Sequence, residues 1–183
     1  MGQTMTSEGR QTESRGFLLP LAIGDAAGKV SCLFSQNQVV EILGRRPIQR
    51  IPFSPAYLDG VMNYFDQLLP VINLDELCSP KHLRYCEEKI QQLMVIRTGV
   101  VHPVTGEHLK AAIVASTRVQ MAKLSAQVLA TFAESEAPSS LKATGVLRGF
   151  FQGKSGGIAL LDLSQVVLGT FGDVTRLDGK QEL

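Results

Sequence analysis

Three cysteines and three histidines are the side chains of this chain best suited to metal or covalent chemistry. Cys78, His82 and Cys86 follow one another at four-residue steps, so on a helix they share a face and offer two soft thiolates and an imidazole to zinc. A structural zinc takes four ligands, however; no fourth Cys or His lies close in sequence, and Pro80 disturbs the helix that this geometry needs. A cysteine nucleophile partnered by His102 or His108 needs a low-pKa thiolate and an orienting third group, and nothing in the spacing localises such a trio. Gly153-Lys154-Ser155-Gly156-Gly157 lacks the frame of a phosphate-binding loop and lies between strand-like runs, which makes it a hairpin tip. Arg45, Arg46 and Arg50 surround Pro47 in what reads as a solvated turn. No motif calls for a cofactor. If the chain does chemistry, the residues point to a metal or redox sensor built on Cys78, His82 and Cys86; otherwise it acts through its surfaces.

Composition narrows the second possibility. Eighteen basic and seventeen acidic residues nearly cancel, so the chain has no field suited to nucleic acid. Its apolar runs, such as 68–72 and 158–161, fall far short of the roughly 20 residues that cross a bilayer, so no membrane insertion is expected. Residues 1–15 are polar and contain no apolar stretch of the kind a secretory signal needs. Three cysteines cannot all pair within one chain, and no CxxC is present; a reducing, cytoplasmic location is the expectation.

The elements that would position any site are mostly strands. With no Trp and few aromatics, the core rests on Leu, Val and Ile, in short runs bounded by Gly and Pro. Residues 17–23 and 29–34 read as a hairpin, 39–43 as a strand halted at Gly44, and 48–51 as an edge strand. Residues 58–65 and 68–73 form a second hairpin around Asp66-Gln67, in which Pro70 demands an edge or a bulge because it has no amide donor. Residues 74–92 read as a helix interrupted at Ser79-Pro80, 93–97 and 109–115 as strands, and 134–140 as a polar linker. The stretch 119–132 fits a helical face or strand pieces equally.

A loose internal repeat ties these elements together. Gly60-Val61-Met62, a turn, and an apolar strand ending in Asn73-Leu74 return as Gly145-Val146-Leu147, a turn, and a strand ending in Asp162-Leu163. Asn73 and Asp162 are placed to cap the turn that follows each strand. Tyr64-Phe65 and Phe150-Phe151 take matching places before the turns, and one member of each pair is expected at the surface.

Taken in order, Glu41-Ile42, Ile51-Pro52, Pro55-Ala56-Tyr57, Gly60-Val61-Met62-Asn63 and Leu69-Pro70-Val71-Ile72-Asn73-Leu74 make the chain resemble the CheW family of chemotaxis coupling proteins over residues 17–167. The later Ala111-Ala112-Ile113-Val114 and the unit from Gly145-Val146 to Asp162-Leu163 fit the same pattern. The resemblance implies a mainly β fold: two SH3-like five-stranded β-barrel subdomains packed around a shared apolar core, with one or two short helices. It places this single domain at 16–170, between tails of 1–15 and 171–183. It also implies a non-enzymatic scaffold, without cofactor, that joins the methyl-accepting chemoreceptor tip to the regulatory domain of the histidine kinase CheA. Under that reading the expected partner contacts are Val39, Glu41 and Ile42 on the early strand, Asn63, Phe65 and Asp66 at the hairpin, and Val146 and Leu147 in the second unit. Two departures mark a specialised member. Phe65-Asp66 stands where the family commonly has Arg-Gly, and Ala115-Ser116 stands where an acidic residue usually follows the Ile-Val strand.

Overall fold

Short apolar runs broken by turn residues give strands rather than helices here. The computed structural model describes residues 14–23, 28–78, 92–115, 118–154 and 156–169, with the backbone alone at 126 and 127. The strands are β1 (Ser14–Leu21), β2 (Val30–Ser35), β3 (Val39–Gly44), β4 (Leu58–Tyr64), β5 (Gln67–Ile72), β6 (Gln92–Val101), β7 (His108–Ala115), β8 (Gln120–Leu124), β9 (Ala133–Glu134), β10 (Leu147–Gly153) and β11 (Gly156–Leu161). Short helices α1 (Leu74–Cys78), α2 (Ala126–Leu129), α3 (Ser139–Ala143) and α4 (Ser164–Leu168) follow or join them.

Two sheets result, in the orders β8-β1-β2-β11-β10-β9 and β3-β6-β7-β5-β4. The second is contiguous in sequence and lies between β2 and β8 of the first; we call them the inserted and the outer unit. The units have matching topology: hairpin β4–β5 joins β7 through a parallel pairing, as hairpin β10–β11 joins β2. Hairpin β6–β7 then corresponds to β1–β2, and β3 to β8. The expected mainly β, two-unit SH3-like architecture is therefore present, with the two-residue β9 as a sixth strand on the outer sheet.

Strands packed on both faces are apolar on both. One face of each sheet builds a core shared between the units, where Leu19, Cys32, Phe34, Ile72, Met94, Ile96, Ile113, Leu141 and Phe150 are all nearly inaccessible. The other face of the inserted sheet encloses Leu43, Met62, Leu69, Val71, Leu93, Val95 and Ala112. Each buried side chain of this kind contributes about 1.5–3 kcal/mol relative to exposure.

The repeat is real, but its register differs from the expected one. Each first strand has an irregularity at the same place, Leu58/Gly60 and Leu147/Gly149. Each following cap is anchored alike: the Asn73 amide donates to the Tyr57 carbonyl and the Asp162 amide to the Val146 carbonyl, both at 2.8 Å. Asn73 Oδ1 accepts from the Asp75 and Glu76 amides, and Asp162 Oδ1 from the Ser164 amide. Gly60 thus matches Gly149, not Gly145, and Tyr64-Phe65 match Gly153-Lys154, not Phe150-Phe151. Phe150 is a core residue and Phe151 half-buried.

Other expectations shift for local reasons. The turn of the β4–β5 hairpin is Phe65-Asp66, one residue earlier than expected, because Tyr64 pairs with Gln67. Pro70 lies in a strand with neighbours on both sides, yet β5 pairs with β7 only at Val71 and Ile72, so no partner seeks the missing donor. Residues 48–51 reduce to a single bridge from Gln49 to Val61. The stretch read as a polar linker, 134–140, instead pairs Glu134 with Phe151 and starts α3 after Pro138, where the ring suits a helix start. The helix expected over 74–92 is observed as α1; residues 79–91 lie outside the described residues, and Gln92 begins β6 instead of ending a helix.

Candidate partner-docking site

Strands β3 and β4 are the two ends of the inserted sheet, and curling of that sheet brings them face to face. The Tyr64 hydroxyl bridges the gap and donates to Glu41 Oε2 at 2.9 Å. Burial, and then this carboxylate, push the Tyr64 phenol above its ordinary pKa. Beside the bridge runs an open groove of about 420 Å³ lined by Glu41, Arg46, Pro47, Asn63, Tyr64 and Phe65. Phe65 is 80% exposed and stacks edge-on against Tyr64, with ring centroids 4.8 Å apart at 81°. The tight turn holds Phe65 at φ 51°, a left-handed conformation that disfavours a bulky side chain. The groove therefore combines an acid, a cation and a fixed aromatic ring on a rigid sheet end.

Of the expected contact residues, Glu41, Asn63 and Phe65 meet in this groove, and Asp66 is exposed beside it. Val39 and Ile42 are half-buried and pack on the shared core from the opposite side of β3. Leu147 is likewise half-buried against that core. Val146 is 1% exposed and has no side-chain surface to present, which corrects its selection as a contact. It precedes β10 as Tyr57 precedes β4, and its carbonyl is consumed by the Asp162 amide.

Two exposed apolar residues escaped the sequence reading. Leu68 is 70% exposed, next to the hairpin turn in an otherwise apolar run that gives no sign of which residue faces solvent. Phe53 is fully exposed at φ 60°, and its only signal in sequence is its position between Pro52 and Pro55.

The candidate chemical residues fare differently. Cys32 and Cys78 are free and buried. Burial pushes the Cys78 thiol up to about 12, with the Asp75 charge adding to the effect, and burial raises Cys32 as well. A thiol held protonated is the opposite of an activated nucleophile. His82 and Cys86 lie outside the described residues. Among the described residues no group of three His, Cys, Asp or Glu side chains is placed to hold a metal. His102 Nδ1 accepts the Val104 and Thr105 amides at the β6–β7 tip, and His108 Nδ1 contacts the Thr98 carbonyl. Both imidazoles serve the hairpin.

A buried acidic group lies below the β4–β5 hairpin. Asp59 is 7% exposed and accepts from Asn73 Nδ2 at 3.4 Å; burial pushes its carboxyl up to about 6 against the opposing Asn73 bond. Glu76, also buried, has no hydrogen-bond partner for Oε1 among the described residues, and Asp75 accepts the Ala22 amide at 2.7 Å. The last contact ties α1 to the end of β1.

The CheW-like domain model matches residues 26–168, which covers most of the chain and both units. The chain belongs to the CheW-like family. Among solved structures it is similar to the scaffolding protein TtCheW from Thermoanaerobacter tengcongensis, with a TM-score of 0.59 and 12% identity over 89% of this chain and 93% of that one. At such identity the likeness speaks for the fold. No curated protein sequence matches the chain significantly. Within the CheW-like frame, the Glu41–Tyr64–Phe65 groove lies where the two ends of the inserted sheet meet. Among the described residues no helix is long and apolar enough to cross a membrane.

Proposed function

We propose that this chain is a non-enzymatic cytoplasmic adaptor that couples chemoreceptor tips to the regulatory domain of the histidine kinase CheA. Membership of the CheW-like family supports a scaffold role in chemotaxis, and TtCheW is itself described as a scaffolding protein. The observation that carries the residue-level reading is the groove in which β3 and β4 present Glu41, Asn63 and Phe65 together. Binding there sets an aromatic anchor inside a polar rim, an arrangement in which one buried ring can supply much of the affinity. Replacing the usual arginine removes a charge-assisted donor worth about 1–3 kcal/mol, so the partner surface of this chain favours an apolar pocket over a carboxylate.

Co-purification with CheA and receptor fragments from the same organism tests the proposal. Wild type is expected to bind, Glu41→Lys to bind at least tenfold more weakly with an unchanged melting temperature, and the Phe65→Arg, Asp66→Gly double variant to shift preference toward partners of the standard family member. Undiminished binding by Glu41→Lys would remove the groove from the interface. Failure of the wild type to bind either fragment would remove the coupling role.

A further inference from the structure

The two matching barrels are filled differently. In the inserted unit Met62, Leu69, Val71, Leu93, Val95 and Ala112 seal the interior. Their counterparts in the outer unit include Phe151, Leu160, Leu18 and Leu33, and these four stay partly exposed, although Ile158 is buried. Tyr64, which closes the inserted barrel, is replaced by Gly153. Phe132 leans over that position, since a Cβ on Gly153 would lie 2.5 Å from its ring. What remains is an open groove of about 670 Å³ lined by Leu18, Pro20, Ile158 and Phe132, with the polar Ser31 and Gln120 beside them. Its only charged lining residues among those described are Lys29 and Arg118, and neither makes an ion pair with a described residue. Among the described residues no carboxylate lines it.

A largely apolar groove of this size, with two cations at its edge that no described residue neutralises, is complementary to a molecule with an apolar body and one anionic end. We propose that the outer barrel binds a small amphipathic carboxylate, its chain or ring against Leu18, Pro20, Ile158 and Phe132 and its carboxylate met by Lys29 and Arg118. The inserted barrel, with the same topology, has no room for such a ligand because its own side chains occupy the space. This site is separate from the Glu41–Phe65 groove and stands whether or not the adaptor reading does.

Calorimetric titration of the full chain with decanoate, and with decanol as the uncharged probe, tests the assignment. Decanoate is expected to bind at one saturable site, and the Lys29→Gln, Arg118→Gln double variant to lose at least tenfold in decanoate affinity while its decanol affinity and melting temperature stay as in wild type. Lys110→Gln, on the sealed barrel, is expected to leave decanoate binding unchanged. The proposal is overturned if decanoate shows no saturable binding at millimolar concentration, if the double variant binds it as well as wild type, or if Lys110→Gln weakens it equally.

Discussion

Two phenylalanines sit in the left-handed region of backbone space, Phe53 at φ 60° and Phe65 at φ 51°, and both rings face solvent. A side chain with a Cβ costs about 1–2 kcal/mol there, while Asn tolerates the region. Phe65→Asn is therefore expected to raise folding stability by about 0.5–1 kcal/mol in denaturant titration while weakening partner capture. A residue that costs the fold and reaches the surface is best explained by what it binds. Acids act at this scale too. The folded-state value of Asp59, about 6, lies above the ordinary 3.8, so its contribution is complete below about pH 4 and is lost as pH rises through 6. Asp162 is the reverse. Hydrogen bonds, first from Arg148 at 2.7 Å and then from Ser164, hold it down to about 2, so its contribution is present above 3.8 and lost as pH falls through 2. Melting temperatures from pH 2 to 8 are expected to show Asp59→Asn flattening the slope between about pH 4 and 6, worth on the order of 2–3 kcal/mol, and Asp162→Asn lowering the melting temperature above about pH 4, with the difference from wild type fading as pH falls toward 2.

Among the elements, the β4 edge depends on one close backbone approach. Gln49 and Val61 exchange amide-to-carbonyl bonds at 2.8 Å, and a Cβ on Gly60 would lie 2.2 Å from the Gln49 carbonyl oxygen at a φ of 143°. Gly60→Ala is expected to cost more than about 2 kcal/mol, read from the urea midpoint, because both the strain and the displaced bridge count. The hairpins β1–β2, β4–β5 and β6–β7 were legible in sequence because apolar alternation and turn residues agree there. The Asn73 and Asp162 caps were legible because a short polar side chain after an apolar strand has few other uses. The repeat register was not. Gly-Val dipeptides carry little information, and only the paired irregularities and caps show that Gly149 answers Gly60. Strand β9 and helix α3 were hidden because polar residues around Pro138 fit a linker as well as a helix start. At the candidate site, Glu41, Asn63 and Phe65 could be chosen from the family pattern, whereas the burial of Val146 depends on the tertiary contact of β10 with the shared core.

For the molecule as a whole, the shared core is the controlling fact. Ile72, Met94, Ile96, Ala111, Ile113 and Ala115 belong to the inserted unit yet are buried against the outer one. Removing the outer unit exposes them together, so a fragment of residues 36–118 is expected to aggregate or to melt without a cooperative transition. The intact chain is expected to unfold in a single transition by circular dichroism and fluorescence alike. Two resolved transitions would show that the interface between units contributes less than the burial implies. The chain order of the strands has another consequence, for synthesis. The inserted unit is contiguous from β3 to β7 and can close as soon as Ala115 has left the ribosome, whereas β2 must wait for β11, its parallel partner, which is translated only after the whole inserted unit. For that interval the β1–β2 hairpin presents Leu19, Cys32 and Phe34 with only the nascent inserted unit to cover them, making it the part of this domain that most needs a chaperone during synthesis.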